Sequence, residues 1–197
     1  MSDSKVKFTR TDSRITPEPA RREPTPNVPI RTGDLPFEEW GEGARFGARY
    51  RELSRKAGAV QIHVNVMVLP PGKQSCPFHY HIREEEHFYV LSGQCILRSG
   101  EDRHVFGAGD YVCFPAGTGV AHAFENPFAS ECTMLAIGPW DETEVAVYPD
   151  SGKAKIRALK RMIPWPADAG SLDYWHGERV EEAIAREAAA TPGSEPG

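Results

Sequence analysis

The chain has 197 residues, of which 40% are hydrophobic and 26% charged, and its formal net charge is −5. That length supports one domain with a real core, and the mildly acidic, mixed-sign surface gives no basic footprint for nucleic acid. No apolar run reaches the length of a membrane span and the first residues carry no apolar signal segment, so a cytoplasmic protein is expected.

Residues 1–36 are polar and contain Pro17, Pro19, Pro24, Pro26, Pro29 and Pro36. Such a segment has too little apolar surface to order itself and reads as a flexible arm. Phe37 and Trp40 mark the start of a chain with something to bury, and the main domain is expected over 37–150. A first strand is expected at 45–53. The signal at 60–69 is stronger, because Val60, Ile62, Val64, Val66 and Val68 alternate with Gln61, His63, Asn65 and Met67. Pro70, Pro71 and Gly72 end it. Further strands are expected at 78–81, 87–91, 94–98, 104–106, 111–114, 121–125 and 133–137. Gly93, Gly100, Gly107, Gly109, Pro115, Gly117, Gly119 and Pro127 punctuate them. Many short strands with regular turn signals predict an all-β antiparallel barrel or sandwich.

Beyond 150 the character changes. Residues 151–190 read as an extension packing on the barrel. Within it 153–176 look irregular, with Trp165, Tyr174 and Trp175 as docking aromatics. A helix is predicted over 178–190, its early acids Glu178, Glu181 and Glu182 suiting the helix dipole. Residues 191–197 are expected to be a disordered tail.

The chemistry concentrates between these landmarks. His79 and His81 are two apart, so on a strand both point to one face. Glu86 follows five residues later and can reach that face from the next strand. His122 returns about forty residues on, within Pro-Ala-Gly-Thr-Gly-Val-Ala-His-Ala-Phe-Glu-Asn. Three imidazoles and one carboxylate suit a divalent first-row metal with positions left open. A metal also resolves the cost of burying four polar groups on an inward face. Cys76, Cys95, Cys113 and Cys132 lack any CxxC spacing and read as reduced thiols, with Cys76 a packed one. Glu84 and Glu85 read as a solvated turn from which only Glu86 is drawn inward. His87 should point away from the site. No Gly-x-Ser-x-Gly elbow and no phosphate-cradling glycine loop is present.

The spacing of these residues resembles the cupin superfamily. Gly72, His79, His81, Glu86 and Gly93 align with its first motif, the spacer before His79 being one residue longer than usual. Gly109, Pro115, Gly117, His122 and Asn126 align with its second, with four residues between Gly117 and His122 where two are usual. The resemblance implies a cupin-type jelly-roll barrel, often dimeric, with a metal inside the barrel facing its mouth. It also implies a superfamily of isomerases, lyases, dioxygenases, decarboxylases and plain binding proteins, among which fold does not choose.

The expected metal ligands are therefore His79, His81, Glu86 and His122, holding Zn, Mn, Fe or Ni. Strand alternation turns Phe88 and Phe124 inward, where they read as core or as substrate contacts together with Asn65 and Met67. His63 is the candidate acid or base beside the metal, since imidazole titrates near neutrality. The expected function is a metal-dependent enzyme of isomerase, lyase or dioxygenase type acting on a small oxygenated organic molecule. The alternative is a non-catalytic barrel that binds a sugar or organic acid. The expected partners are a small-molecule ligand and a second copy of the chain in a homodimer.

Overall fold

The computed structural model describes residues 27–165. The helix expected at 178–190, the tail at 191–197, the aromatics Tyr174 and Trp175, and most of the proline-rich arm lie outside the described residues. Residues 27–37 are irregular apart from a single 3-10 turn at Thr32–Asp34.

Thirteen strands follow among the described residues: β1 Glu38–Glu42, β2 Phe46–Glu52, β3 Ile62–Leu69, β4 Tyr80–His81, β5 Glu86–Ser92, β6 Gln94–Ser99, β7 Asp102–Gly107, β8 Tyr111–Phe114, β9 His122–Glu125, β10 Cys132–Pro139, β11 Val145–Tyr148, β12 Lys153–Ile156 and β13 Arg161–Pro164. One antiparallel sheet has the order β1-β2-β3-β10-β5-β8. Facing it are β7-β6-β9 and β13-β12-β11-β4. A bridge between His79 and His122 joins these two groups into a second layer. The layers close on a core of Met67, Leu69, Phe88, Val90 and Met134 from the first and Cys95, Leu97, Phe106 and Phe124 from the second. This is the all-β jelly-roll barrel expected from the sequence.

The period of two decides the interior. On β3, Met67 and Leu69 are 2% and 0% exposed, so the face carrying His63, Asn65 and Met67 turns inward. Reading across the first sheet gives successive inward rows. Met67 pairs with Met134, which pairs with Val90. Asn65 pairs with Ala136, which pairs with Phe88. His63 pairs with Gly138, which lies against Glu86. The rows therefore pass from apolar in the depth of the barrel to polar at one end.

Three stretches differ from expectation, the first being β11, Val145–Tyr148, where no strand was expected. Residues 153–164 are not irregular but form the hairpin of β12 and β13, so strand pairing runs past the boundary expected at 150. Their Lys, Arg and Pro residues hide the strand signal, and pairing with β11 supplies what local propensity lacks. Strand β1, Glu38–Glu42, is equally masked by its acids. It holds as an edge because Trp40 stacks on Tyr50 of β2, the ring centroids 6.4 Å apart.

Candidate metal centre

Backbone pairing brings the histidines together. The His79 amide donates to the His122 carbonyl at 3.1 Å and the His122 amide donates back at 2.8 Å. Residues opposed in this way present their side chains to one face. His81, two residues on in β4, shares that face. Glu86 opens β5 on the opposite sheet and points across the barrel at them.

Glu86 Oε2 lies 3.0 Å from His122 Nε2, 3.3 Å from His81 Nε2 and 4.0 Å from His79 Nε2. Ligand atoms of His79, His81 and Glu86 all fall within 4.8 Å of one another. Glu86 Oε2 and His81 Nε2 are nonetheless buried without a hydrogen-bond partner. A buried polar atom without a partner costs about 1–3 kcal/mol, and a cation among these four groups removes that cost at once. On donor chemistry and on the orphaned atoms, the residues fit a divalent metal ion.

The outer nitrogens are organised to suit. His79 Nδ1 donates to the Pro77 carbonyl at 2.9 Å. His81 Nδ1 donates to Glu144 Oε1 at 3.2 Å. Each bond fixes the tautomer that leaves Nε2 as the lone-pair nitrogen. The His122 ring stacks on Phe114, with centroids 3.7 Å apart and planes 3° from parallel. Burial, with His122 beside it, pushes His79 down to about 3. Burial alone would push Glu86 up, but the imidazoles of His122 and His81 hold its carboxyl well below the usual carboxylate range. Burial likewise opposes a charge on His81, yet Glu86 and Glu144 raise it above an ordinary imidazole.

Glu144 was not foreseen. It is 1% exposed, and besides His81 it accepts the amides of Ile82 at 2.9 Å, Arg83 at 2.9 Å and Glu84 at 2.8 Å. One carboxylate thus orients a histidine and pins the loop leading into Glu86. No spacing rule joins it to His81, 63 residues earlier. Glu84 corrects the sequence reading. It is not part of a solvated turn but 5% exposed, and it grips the Arg157 guanidinium with both oxygens, one contact being 2.8 Å. A buried carboxylate needs such a partner, and the partner comes from beyond the boundary expected for the barrel.

The other expected site residues fall in two places. Met67, Phe88 and Phe124 point inward and belong to the apolar core. The Phe88 and Phe124 rings each lie 6.2 Å from the His122 ring and so floor the centre. His63 and Asn65 occupy the polar end of the first sheet. His63 Nδ1 is 3.8 Å from Glu52 Oε2, and its ring lies 5.7 Å from that of Trp140. Between His63 and Glu86 runs only Gly138. A Cβ there would come 2.9 Å from the Glu85 carbonyl oxygen and 3.8 Å from Glu86 Cγ. The main chain is thus closely packed at Gly138, and His63 and Glu86 stand two strand spacings apart, roughly 10 Å between backbones, on the same inner face. His87 points away from the centre, as expected, and meets Tyr111 on the outer face. Cys76 packs beside the centre, its Sγ 3.6 Å from His79 Nδ1.

Residues 65–138 match the cupin domain family. The chain carries a cupin domain. This cupin is similar to the crystal structure of a candidate sugar phosphate isomerase from Acidithiobacillus ferrooxidans ATCC 23270. The TM-score is 0.63 and the identity 26%, covering 72% of this chain and 92% of that one. It is also similar to a sugar phosphate isomerase of the cupin superfamily from Silicibacter pomeroyi DSS-3, with TM-score 0.62, 24% identity, and 75% and 98% of the two chains covered. A third likeness is to a predicted oxalate decarboxylase from Thermotoga maritima, with TM-score 0.50, 22% identity, and 58% and 100% covered. The second and third likenesses speak for the fold alone. No curated protein matches this cupin significantly. No helix among the described residues is long and apolar enough to cross a membrane.

Proposed function

We propose that this cupin binds a divalent metal through His79, His81, Glu86 and His122 and is an enzyme that isomerises a small hydroxy-carbonyl compound of sugar type. The observation that carries the reading is the convergence of three Nε2 atoms on a buried, unpartnered Glu86 Oε2. A bound divalent ion supplies Lewis acidity, which polarises a carbonyl. The chain's own residues do the rest. His63, with Nδ1 turned to Glu52, exchanges a proton with the substrate carbon or oxygen through its other ring nitrogen. Asn65, in the next row of the same sheet, offers an amide to a substrate hydroxyl. Met67, Phe88 and Phe124 form an apolar base that keeps water from the buried side. The likeness to the Acidithiobacillus protein supports the sugar-type substrate. The group at His63 and Asn65 favours turnover over simple binding, because it places acid-base and hydrogen-bonding atoms on the inner face opposite the histidines.

The test is interconversion of aldose and ketose substrates, phosphorylated and free, followed by proton exchange in NMR with metal-loaded protein. The reading expects solvent deuterium at the carbon next to the carbonyl, and a loss of at least about 100-fold in turnover for His63→Gln with metal content unchanged. Substrate-dependent thermal stabilisation without any exchange would replace the enzyme by a binding protein. The chain is further proposed to work as a homodimer, and a monomeric mass by light scattering would contradict that.

A further inference from the structure

A second cluster of metal-type donors lies on the opposite side of the same sheet. Because Glu86 and Phe88 point inward, Glu85 and His87 point out. His87 of β5 is the direct cross-strand partner of Cys113 in β8. Such a pair places its Cβ atoms about 4.5–5.5 Å apart, a span one ion can bridge. Glu85 stands two residues before His87 and shares its face. The carboxylate oxygen of Glu85, an imidazole nitrogen of His87 and the Cys113 Sγ all lie within 4.8 Å of one another.

The ring orientation suits an ion. Tyr111, two residues before Cys113 on the edge strand, holds His87 Nδ1 through its hydroxyl at 2.6 Å. The two rings stack with centroids 6.0 Å apart. That contact turns Nε2 toward Glu85 Oε1, 2.9 Å away. A ligating histidine is oriented in the same manner, by a bond to the nitrogen that does not face the metal. Side-chain exposures of 28% for His87 and 48% for Glu85 leave the cluster open to solvent, and Cys113 is itself partly exposed.

We propose that Glu85, His87 and Cys113 form a second, surface metal site, separate from the centre in the barrel and selective for a thiophilic borderline ion of the zinc type. Thiolate, imidazole and carboxylate are the donors of tetrahedral zinc, and three of them leave one position for water or for a donor from another molecule. The inner centre offers nitrogen and oxygen only, so the two sites differ in ligand softness. The outer site ties β8, the last strand of its sheet, to β5.

Cobalt titration of the full, metal-stripped chain tests this, because a thiolate bound to cobalt gives a near-ultraviolet charge-transfer band. Cys95 and Cys132 are fully buried in the core, so only Cys113 and Cys76 can answer. The expected result is two cobalt equivalents per chain, one carrying the band. Cys113→Ser should abolish the band and remove one equivalent, and Glu85→Gln should weaken the same equivalent by roughly 10-fold or more. His81→Ala, which belongs to the inner centre, should leave the band in place. Cys76→Ser should also leave it. A band that survives Cys113→Ser, or that disappears in Cys76→Ser instead, would overturn the proposal.

Discussion

His79 shows how a single side chain ties site chemistry to stability. Burial pushes its pKa to about 3 from an ordinary 6.5. Between those values the unfolded chain binds a proton that the folded one refuses, so stability from this group is complete above about pH 6.5 and is lost as pH falls toward about 3. Chemical denaturation of metal-free protein should therefore show a shallower loss of stability between about pH 6 and 4 in His79→Gln than in wild type. His81 acts in the opposite sense, because its pKa is raised, but it is common to both proteins and drops out of the difference. Glu144 belongs to the same scale. Its bond to His81 sets the tautomer, and Glu144→Gln should lower metal affinity by about 10–100-fold, read by competition with a chromophoric chelator.

At the scale of elements, the barrel rests on close approaches that its motif residues make possible. Gly93, between β5 and β6, has φ of 74°. A Cβ there would sit 2.1 Å from the Glu131 carbonyl oxygen. Gly93→Ala meets both a left-handed backbone penalty and a clash with main chain, and should destabilise the protein by at least about 1–3 kcal/mol in urea unfolding. Asn126, the last residue of the second motif, works for the fold as well. It is 1% exposed, and its amide donates to the Leu69 and Ser130 carbonyls at 2.9 and 2.8 Å while its oxygen accepts the Phe128 amide at 3.0 Å. The strands legible in the sequence were those with clean alternation, such as β3, or with glycine on both sides, such as β6. Strands β1, β12 and β13 were hidden, because their residues are charged and their pairing partners, not their propensities, make them strands, and β11 was hidden because it is short and isolated in a charged stretch.

For the whole molecule, local spacing and long-range contact divide what could be read. The His79, His81 and Glu86 set lies within eight residues, and His122 joins through one antiparallel bridge, so the inner centre was visible in the string. Glu144 beside His81 and Glu84 with Arg157 arise from packing across 63 and 73 residues of separation, and no periodicity announces them. His63 stood between these cases: its inward direction follows from alternation, but its place across a glycine from Glu86 needed the register of three strands. The account stands on the four inner donors gripping one ion. Isothermal titration of manganese or zinc into metal-stripped wild type and into His79→Ala, Glu86→Ala and His122→Ala measures this directly, with Cys113→Ser as background to silence the outer face. One tight equivalent in the background protein, lost or weakened at least about 100-fold in each of the three variants, is the predicted result. Unaltered affinity in any folded variant would contradict it.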